Sequence, residues 1–129
     1  MSAALGMIAL VVRDYDEAIA HYVYGLGFTL IEDTPMSATK RWVVVAPSED
    51  SGARLLLAKA ADETQAAAIG NQAGGRVFLF LYTSDFDASY TRIAAAGVRF
   101  DGAPRQEAYG KVVVFEDMYG NRWDLIERQ

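Results

Sequence analysis

The sequence has no cysteine and a single histidine, His21, among its 129 residues. The absence of cysteine excludes disulfides, thiolate metal sites and a cysteine nucleophile, and it leaves the redox compartment unmarked. A cytoplasmic location is therefore the default expectation. His21 falls on a predicted helix without an evident orienting carboxylate, which favours a partly covered helix residue over a catalytic base.

The chain also lacks a long hydrophobic run and an excess of positive charge. The apolar segment Met7–Val12 is too short for a signal peptide or a membrane span, so we expect a soluble, unprocessed protein without a membrane partner. The net charge is −5, and the acidic residues are interspersed with basic ones. No concentrated positive field exists to attract a phosphate backbone, and nucleic acid is not an expected partner.

The first half of the chain predicts the order β-α-β-β-β. Met7–Val12 is apolar and β-branched, which is typical of a strand covered on both faces. A helix follows, with the capping-box pair Asp14 and Glu17 at its start and Gly27 at its end. Three further strands are predicted at residues 28–32, 41–46 and 54–58.

The second half repeats this order. Residues 77–82 form an apolar strand, Ser84 and Asp87 have capping-box spacing, and Gly97 closes the helix that follows. Three more strands are predicted at residues 98–101, 112–115 and 123–127. The recurrence of the whole pattern indicates an internal duplication.

Length and repetition together predict the domain organisation. The chain fits a single domain, residues 1–129, because neither half alone has a sheet that can hide its apolar face. We expect module one at about residues 5–60, an Ala-rich linker at 61–75 and module two at 76–128. The predicted class is α+β, with two β-α-β-β-β modules forming a curved mixed sheet or half-barrel around a cleft.

Three segments carry a resemblance to a known family. They are residues 11–18 (VVRDYDEA), Tyr22 with residues 26–28 (LGF), and residues 116–125 (EDMYGNRWDL). In this order, inside a duplicated plan, they resemble the vicinal oxygen chelate superfamily of glyoxalases, bleomycin resistance proteins and extradiol dioxygenases. The resemblance covers almost the entire chain. It implies a fold but no single reaction, because the superfamily includes isomerases, dioxygenases, thiol transferases, epimerases and binding proteins.

The resemblance also implies where a metal would bind. In catalytic members of the superfamily four inward positions hold a divalent metal, and they correspond here to Met7, Leu56, Phe78 and Asp124. Only Asp124 offers an oxygen ligand. A catalytic zinc, iron, manganese or nickel centre needs about three or more protein nitrogen or oxygen ligands. We therefore expect neither a metal nor another cofactor.

The same correspondence predicts the wall of a ligand pocket. Because side chains alternate along a strand, Met7 and Ala9 share one face, and Phe78, Phe80 and Tyr82 share another. The predicted ligand-binding residues are Met7, Ala9, Leu56, Phe78, Phe80, Tyr82 and Asp124. The alternative interpretation of this apolar stripe is ordinary hydrophobic core.

Asp124 has two interpretations. Desolvation in an apolar cavity would raise its pKa and suit it to acid-base catalysis, which makes it the candidate catalytic residue. The favoured interpretation is an ion pair with an arginine such as Arg122, Arg54 or Arg13, because strand alternation puts Arg122 and Asp124 on one face. Trp123 lies between them and is expected to point to the opposite face, toward the helices.

Two functions follow from these residues. The favoured hypothesis is a metal-free, glyoxalase- or bleomycin-resistance-like protein that binds a small aromatic or amphipathic molecule. The alternative is a lyase, isomerase or dioxygenase that acts on a small substrate in the same cleft. Relatives of this size usually cover their strand edges across a two-fold interface, so a homodimer is expected.

Overall fold

Residues 2–129 are described by a computed structural model, in which the chain divides into a unit that ends at Ala67 and a unit that spans Ala68–Gln129. The strands of each unit pair only with one another. No helix among the described residues has both the length and the apolar character needed to cross a bilayer.

The first unit contains one four-stranded mixed sheet. Its elements in chain order are β1 (Met7–Val12), α1 (Tyr15–Ile19), a π-helix (Ala20–Gly25), β2 (Thr29–Pro35), β3 (Arg41–Ala46) and β4 (Arg54–Lys59). The strand order is β1-β4-β3-β2, with β1 parallel to β4 and the other pairs antiparallel. The connecting helix α2 (Glu63–Ala68) follows β4.

The second unit has the same topology. Its elements are β5 (Val77–Tyr82), α3 (Phe86–Ala95), β6 (Arg99–Glu107), β7 (Gly110–Glu116) and β8 (Arg122–Arg128). The strand order β5-β8-β7-β6, with one parallel pair and two antiparallel pairs, matches that of the first unit. The predicted α+β class with two β-α-β-β-β modules is confirmed, and neither sheet closes into a barrel.

Each sheet buries one face under its own helix. In the first unit, Leu10 and Val12 of β1, Leu57 of β4 and Tyr22 of the helical segment are fully buried. In the second unit a run of aromatic rings packs between α3 and the sheet, with centroid spacings from 4.5 to 6.5 Å: Phe86, Tyr90, Phe100, Phe115 and Trp123. Trp123 therefore faces α3, as predicted. Burial of these faces leaves the opposite face of each sheet to supply a site.

Helices α1 and α3 each begin at an aspartate cap, although the sequence predicted the correct capping residue only for α1. Asp14 caps α1, because its Oδ2 accepts a hydrogen bond from the Glu17 amide at 2.9 Å. The predicted pair of Ser84 and Asp87 at the second helix is wrong. Asp85 is the cap of α3 and accepts from the Ala88 amide at 3.1 Å. Asp14 and Asp85 are thus equivalent in the duplicated plan.

Strand β6 is longer than the sequence indicated. It was expected to end at Asp101 because Gly102 and Pro104 are typical turn residues, yet it continues to Glu107. The pairing with β7 shifts register between Asp101 and Arg105, where Gly102 adopts φ +86°. Residues 102–104 of β6 thus lie opposite the single residue Val113 of β7, and the strand resumes beyond this β-bulge.

Candidate functional site

The open face of the second sheet holds a pocket of about 270 Å³. Its lining residues come from β5, β8 and the β6–β7 turn: Phe80, Tyr82, Tyr109, Asp124, Ile126 and Arg128. The volume is slightly below the common range for small-molecule sites, roughly 300–1,000 Å³. The pocket therefore suits a molecule of one or two rings.

Strand register explains why these side chains meet. Phe80 pairs with Asp124, and Tyr82 pairs with Ile126 in the parallel β5–β8 ladder. Paired residues in a ladder point to the same face, and alternation sends Leu125 to the helix side. The predicted grouping of Phe80, Tyr82 and Asp124 is therefore present on one face of one sheet.

Three aromatic rings in this pocket remain about half exposed. The exposed fractions are 56% for Phe80, 55% for Tyr82 and 51% for Tyr109. The guanidinium of Arg128 lies 4.2 Å from the centroid of the Tyr82 ring, close enough for a cation-π contact. Large aromatic surfaces gathered at a concave site are available to stack on a planar ligand.

Asp124 lies in the wall of the pocket with little access to water. Its residue exposure is 8%, and its Oδ1 atom is buried without a hydrogen-bond partner. Desolvation raises the pKa of this carboxyl above its usual value, and the positive charges of Arg105 and Arg122 partly oppose that shift. A buried carboxylate oxygen without a donor is an unfavourable arrangement that a ligand can relieve.

The ion pair expected between Asp124 and Arg122 does not form. Arg122 donates instead to Asp101 on β6, with 2.6 Å between Nη2 and Oδ2. Glu116 of β7 lies 3.8 Å from the same guanidinium. The Arg122 guanidinium therefore interacts with acids on β6 and β7. Asp124 faces the pocket without an ion pair to Arg122.

Tyr109 lines the pocket, although the sequence favoured an ordinary loop-to-strand transition there over a Tyr109 and Lys111 pair at the mouth of a cleft. It lies in the two-residue turn between β6 and β7, where Glu107 pairs with Gly110. Lys111, two residues later, points away from the pocket and lies 4.6 Å from the centroid of the Phe86 ring. Tyr109 reaches the pocket because β6 extends to Glu107. Prediction of Tyr109 would have required recognition of the β-bulge at Gly102, beyond which the strand continues.

The other predicted residues lie elsewhere. Phe78 is half-buried and borders a niche of about 10 Å³ beside Gly70 and Arg122. The ladder shifts register between Val77 and Leu79, so Phe78 falls at an irregularity that simple alternation does not describe. Met7 and Ala9 are exposed on the open face of β1 in the first unit, with Met7 39% exposed.

Leu56 lies in the first unit, where it pairs with Ala9 and lines a separate cavity of about 570 Å³. Two of the polar groups in that cavity already have partners. The Tyr15 hydroxyl accepts from the Arg41 amide at 3.2 Å, and Gln65 Oε1 accepts from the Ala61 amide at 2.8 Å. The pocket of the second unit is the stronger candidate, because it combines exposed rings with an unsatisfied buried carboxylate oxygen.

Comparison with known proteins identifies the fold family. The profile of the Glyoxalase/Bleomycin resistance protein/Dioxygenase superfamily matches residues 4–125. The chain belongs to this superfamily. A protein of Shewanella frigidimarina with uncharacterized function is 54% identical over 128 residues, which are 98% of this chain and 95% of the relative.

Two solved structures share both the fold and part of the sequence of this chain. The crystal structure of UcmS2 superposes with a TM-score of 0.83 at 30% identity, covering 98% of this chain and 99% of that one. TnmS3, an antibiotic binding protein from Streptomyces sp. CB03234, superposes with a TM-score of 0.77 at 29% identity, covering 99% and 98%.

The metal of the catalytic members of the superfamily does not fit the residues of this chain. Of the four positions that the resemblance assigns to the metal, three carry thioether, alkyl and phenyl groups, at Met7, Leu56 and Phe78. Within residues 2–129 no three His, Cys, Asp or Glu side chains cluster so that they could hold an ion. A lone carboxylate at Asp124 falls short of the three or so ligands that a catalytic centre requires.

Proposed function

We propose that this protein binds small planar aromatic or amphipathic molecules without a metal or another cofactor. The binding site is the pocket of the second sheet. The observation that carries the proposal is the convergence of three half-exposed rings, Phe80, Tyr82 and Tyr109, around the buried carboxylate of Asp124. A concave apolar wall with a few polar groups is the general form of a small-molecule site.

Two further observations support binding. The antibiotic binding protein TnmS3 shares the fold over nearly the whole chain at 29% identity. At the positions that the resemblance assigns to the metal, Met7, Leu56 and Phe78 lack nitrogen and oxygen donors. Both observations are consistent with a binding protein of this superfamily rather than a metal-dependent enzyme.

One observation favours an enzyme as the second candidate, a lyase, isomerase or dioxygenase. The raised pKa of Asp124, caused by desolvation, is typical of a general acid or base. That role requires a reaction that is lost in Asp124→Asn while the fold is kept. Conversion of any small substrate that falls by orders of magnitude in this variant would favour the enzyme over the binding protein.

The binding proposal is tested by thermal shift with a panel of planar compounds in the presence of a chelator. Some compounds should stabilise the wild-type protein, and Phe80→Ala should lose most of that response because stacking adds about 0.5–1.5 kcal/mol beyond burial. Tyr24→Ala is the matched control, since Tyr24 is an aromatic side chain with 77% exposure outside the pocket. If no compound raises the Tm of the wild-type protein, or if the compounds raise the Tm of Phe80→Ala and Tyr24→Ala equally, the proposed site is wrong.

A homodimer in the cytoplasm completes the proposal. Each sheet has two edge strands, β1 and β2 in the first and β5 and β6 in the second. Open strand edges and exposed apolar side chains such as Met7 are commonly covered by self-association. The absence of cysteine is compatible with a reducing compartment.

A further inference from the structure

The unsatisfied oxygen of Asp124 restricts which aromatic molecules suit the pocket. Asp124 is more than nine-tenths buried, it lines the pocket, and its Oδ1 has no hydrogen-bond partner. An ionised carboxylate accepts hydrogen bonds and donates none. Desolvation raises the pKa of this carboxyl, and the positive charges of Arg105 and Arg122 partly oppose that shift.

The basic side chains near Asp124 have other partners, so Oδ1 is available to accept a hydrogen bond from a ligand. Arg122 is bound to Asp101 at 2.6 Å, and Arg105 is bound to Glu107 at 2.8 Å. Arg128, the basic residue of the pocket wall, places its guanidinium over the Tyr82 ring. The basic side chains around the pocket are thus engaged away from Oδ1.

We infer that the pocket selects planar aromatic molecules that carry a hydrogen-bond donor, such as a phenolic hydroxyl or an indole-type N–H, directed at Oδ1 of Asp124. The inference rests on the proposed binding function and adds a chemical class of ligand to it. The ring stacks against the exposed faces of Phe80 and Tyr82, and the donor satisfies the buried oxygen. A donor-free analogue leaves that oxygen buried and unpaired, which is the most effective basis for discrimination between ligands of similar shape.

The inference is tested with matched pairs of ligands on the full-length protein by isothermal titration calorimetry. The probes are naphthol with its methyl ether, and indole with N-methylindole. Naphthalene is added because it lacks the donor and is smaller than naphthol. Weaker binding of naphthalene therefore cannot be attributed to the steric bulk of an added methyl group. The wild-type protein should bind naphthol and indole about tenfold or more tightly than their donor-free counterparts.

Substitution of Asp124 should remove the preference while keeping ring binding. Asp124→Leu deletes the acceptor and should bind naphthol and its methyl ether with equal affinity. Asp124→Asn keeps a weaker, uncharged acceptor and should show an intermediate preference of about threefold. Asp87→Asn is the control for the loss of one negative charge, since its side chain is 90% exposed and lies outside the pocket wall. It should retain the wild-type preference.

The possible failures are distinguishable. If the compounds bind in a manner that depends on Phe80 but donor-bearing and donor-free members bind equally, the inference is wrong and the binding function stands. A preference that persists unchanged in Asp124→Leu and Asp124→Asn likewise overturns it. If none of the five compounds binds, the proposed function fails and the inference fails with it. If Asp124→Leu does not fold, the wild-type ligand pairs and Asp124→Asn still decide the outcome.

Discussion

The substitution Asp124→Asn should stabilise the free protein at neutral pH, and the gain should depend on pH. Asp124 is 8% exposed, and one of its carboxylate oxygens has no hydrogen-bond partner. An unsatisfied buried polar group costs about 1–3 kcal/mol, and a charged group costs more; asparagine keeps the buried oxygen but removes its charge. Arg105 and Arg122 offset part of that cost, and solvent in the open pocket screens more of it, so we expect about 1 kcal/mol at pH 8.

The sign of the pH dependence follows from the direction of the pKa shift. In the unfolded chain the Asp124 carboxyl titrates near 3.8, and desolvation raises its pKa in the folded state. Between the two values the folded state holds the proton more strongly, so the free energy of unfolding falls as pH rises through this window. Asparagine does not titrate. The advantage of Asp124→Asn should therefore be smallest below pH 3.8, grow as the folded-state carboxyl ionises, and then level off.

The assay is thermal unfolding of both proteins from about pH 4 to pH 8 at constant ionic strength. A gain of about 1 kcal/mol corresponds to a rise in Tm of roughly 3–5 °C for a chain of this size. Asp87→Asn, whose exposed carboxylate lies 3.5 Å from Lys111, controls for the change in net charge. A lower Tm for Asp124→Asn at pH 8, or an advantage that does not change with pH, would refute the desolvation argument.

Three further outcomes are expected. Elemental analysis after dialysis against a mild chelator should find far less than one equivalent of zinc, iron, manganese or nickel per chain, because Met7, Leu56 and Phe78 offer no ligand atoms; a retained equivalent would contradict this. Light scattering coupled to size exclusion should give the mass of a homodimer, and a monomer mass throughout the micromolar range would show that the strand edges need no second chain. Gly110→Ala should lower the free energy of unfolding by about 2 kcal/mol or more, because φ is +142° and a Cβ would meet the Glu127 carbonyl oxygen. Gly102→Ala, at φ +86° with nothing within 4 Å, should cost about 1 kcal/mol, and chemical denaturation that shows equal losses would disprove the close approach.

Alternation along strands was sufficient to predict part of the candidate site. Phe80 and Tyr82 are two residues apart on β5, so the period of two places them on one face without knowledge of the sheet. Asp124 joins them because the family resemblance assigns an inward position to the last strand of each module, and β8 pairs with β5 in the structure. The fold class was predictable for a similar reason, since the β-α-β-β-β order recurs in the residues themselves.

The rest of the site depended on pairing between strands that no local pattern shows. Phe78 is displaced by the register shift after Val77, and Tyr109 reaches the pocket only because β6 resumes beyond its bulge. The acids that Arg122 contacts lie not on its own strand but on β7, the next strand of the sheet, and on β6 beyond it. Asp101 and Glu116 lie near the guanidinium because β6, β7 and β8 are adjacent, and that adjacency belongs to the tertiary structure.

The repeated topology has a consequence for how the chain folds during synthesis. Every strand pairing of the first sheet lies between Met7 and Lys59, and every pairing of the second lies between Val77 and Arg128. The first sheet is therefore complete in sequence once Lys59 has left the ribosome, before any strand of the second has emerged. Its parallel β1–β4 pair can therefore form while no strand of the second sheet is available to compete for pairing.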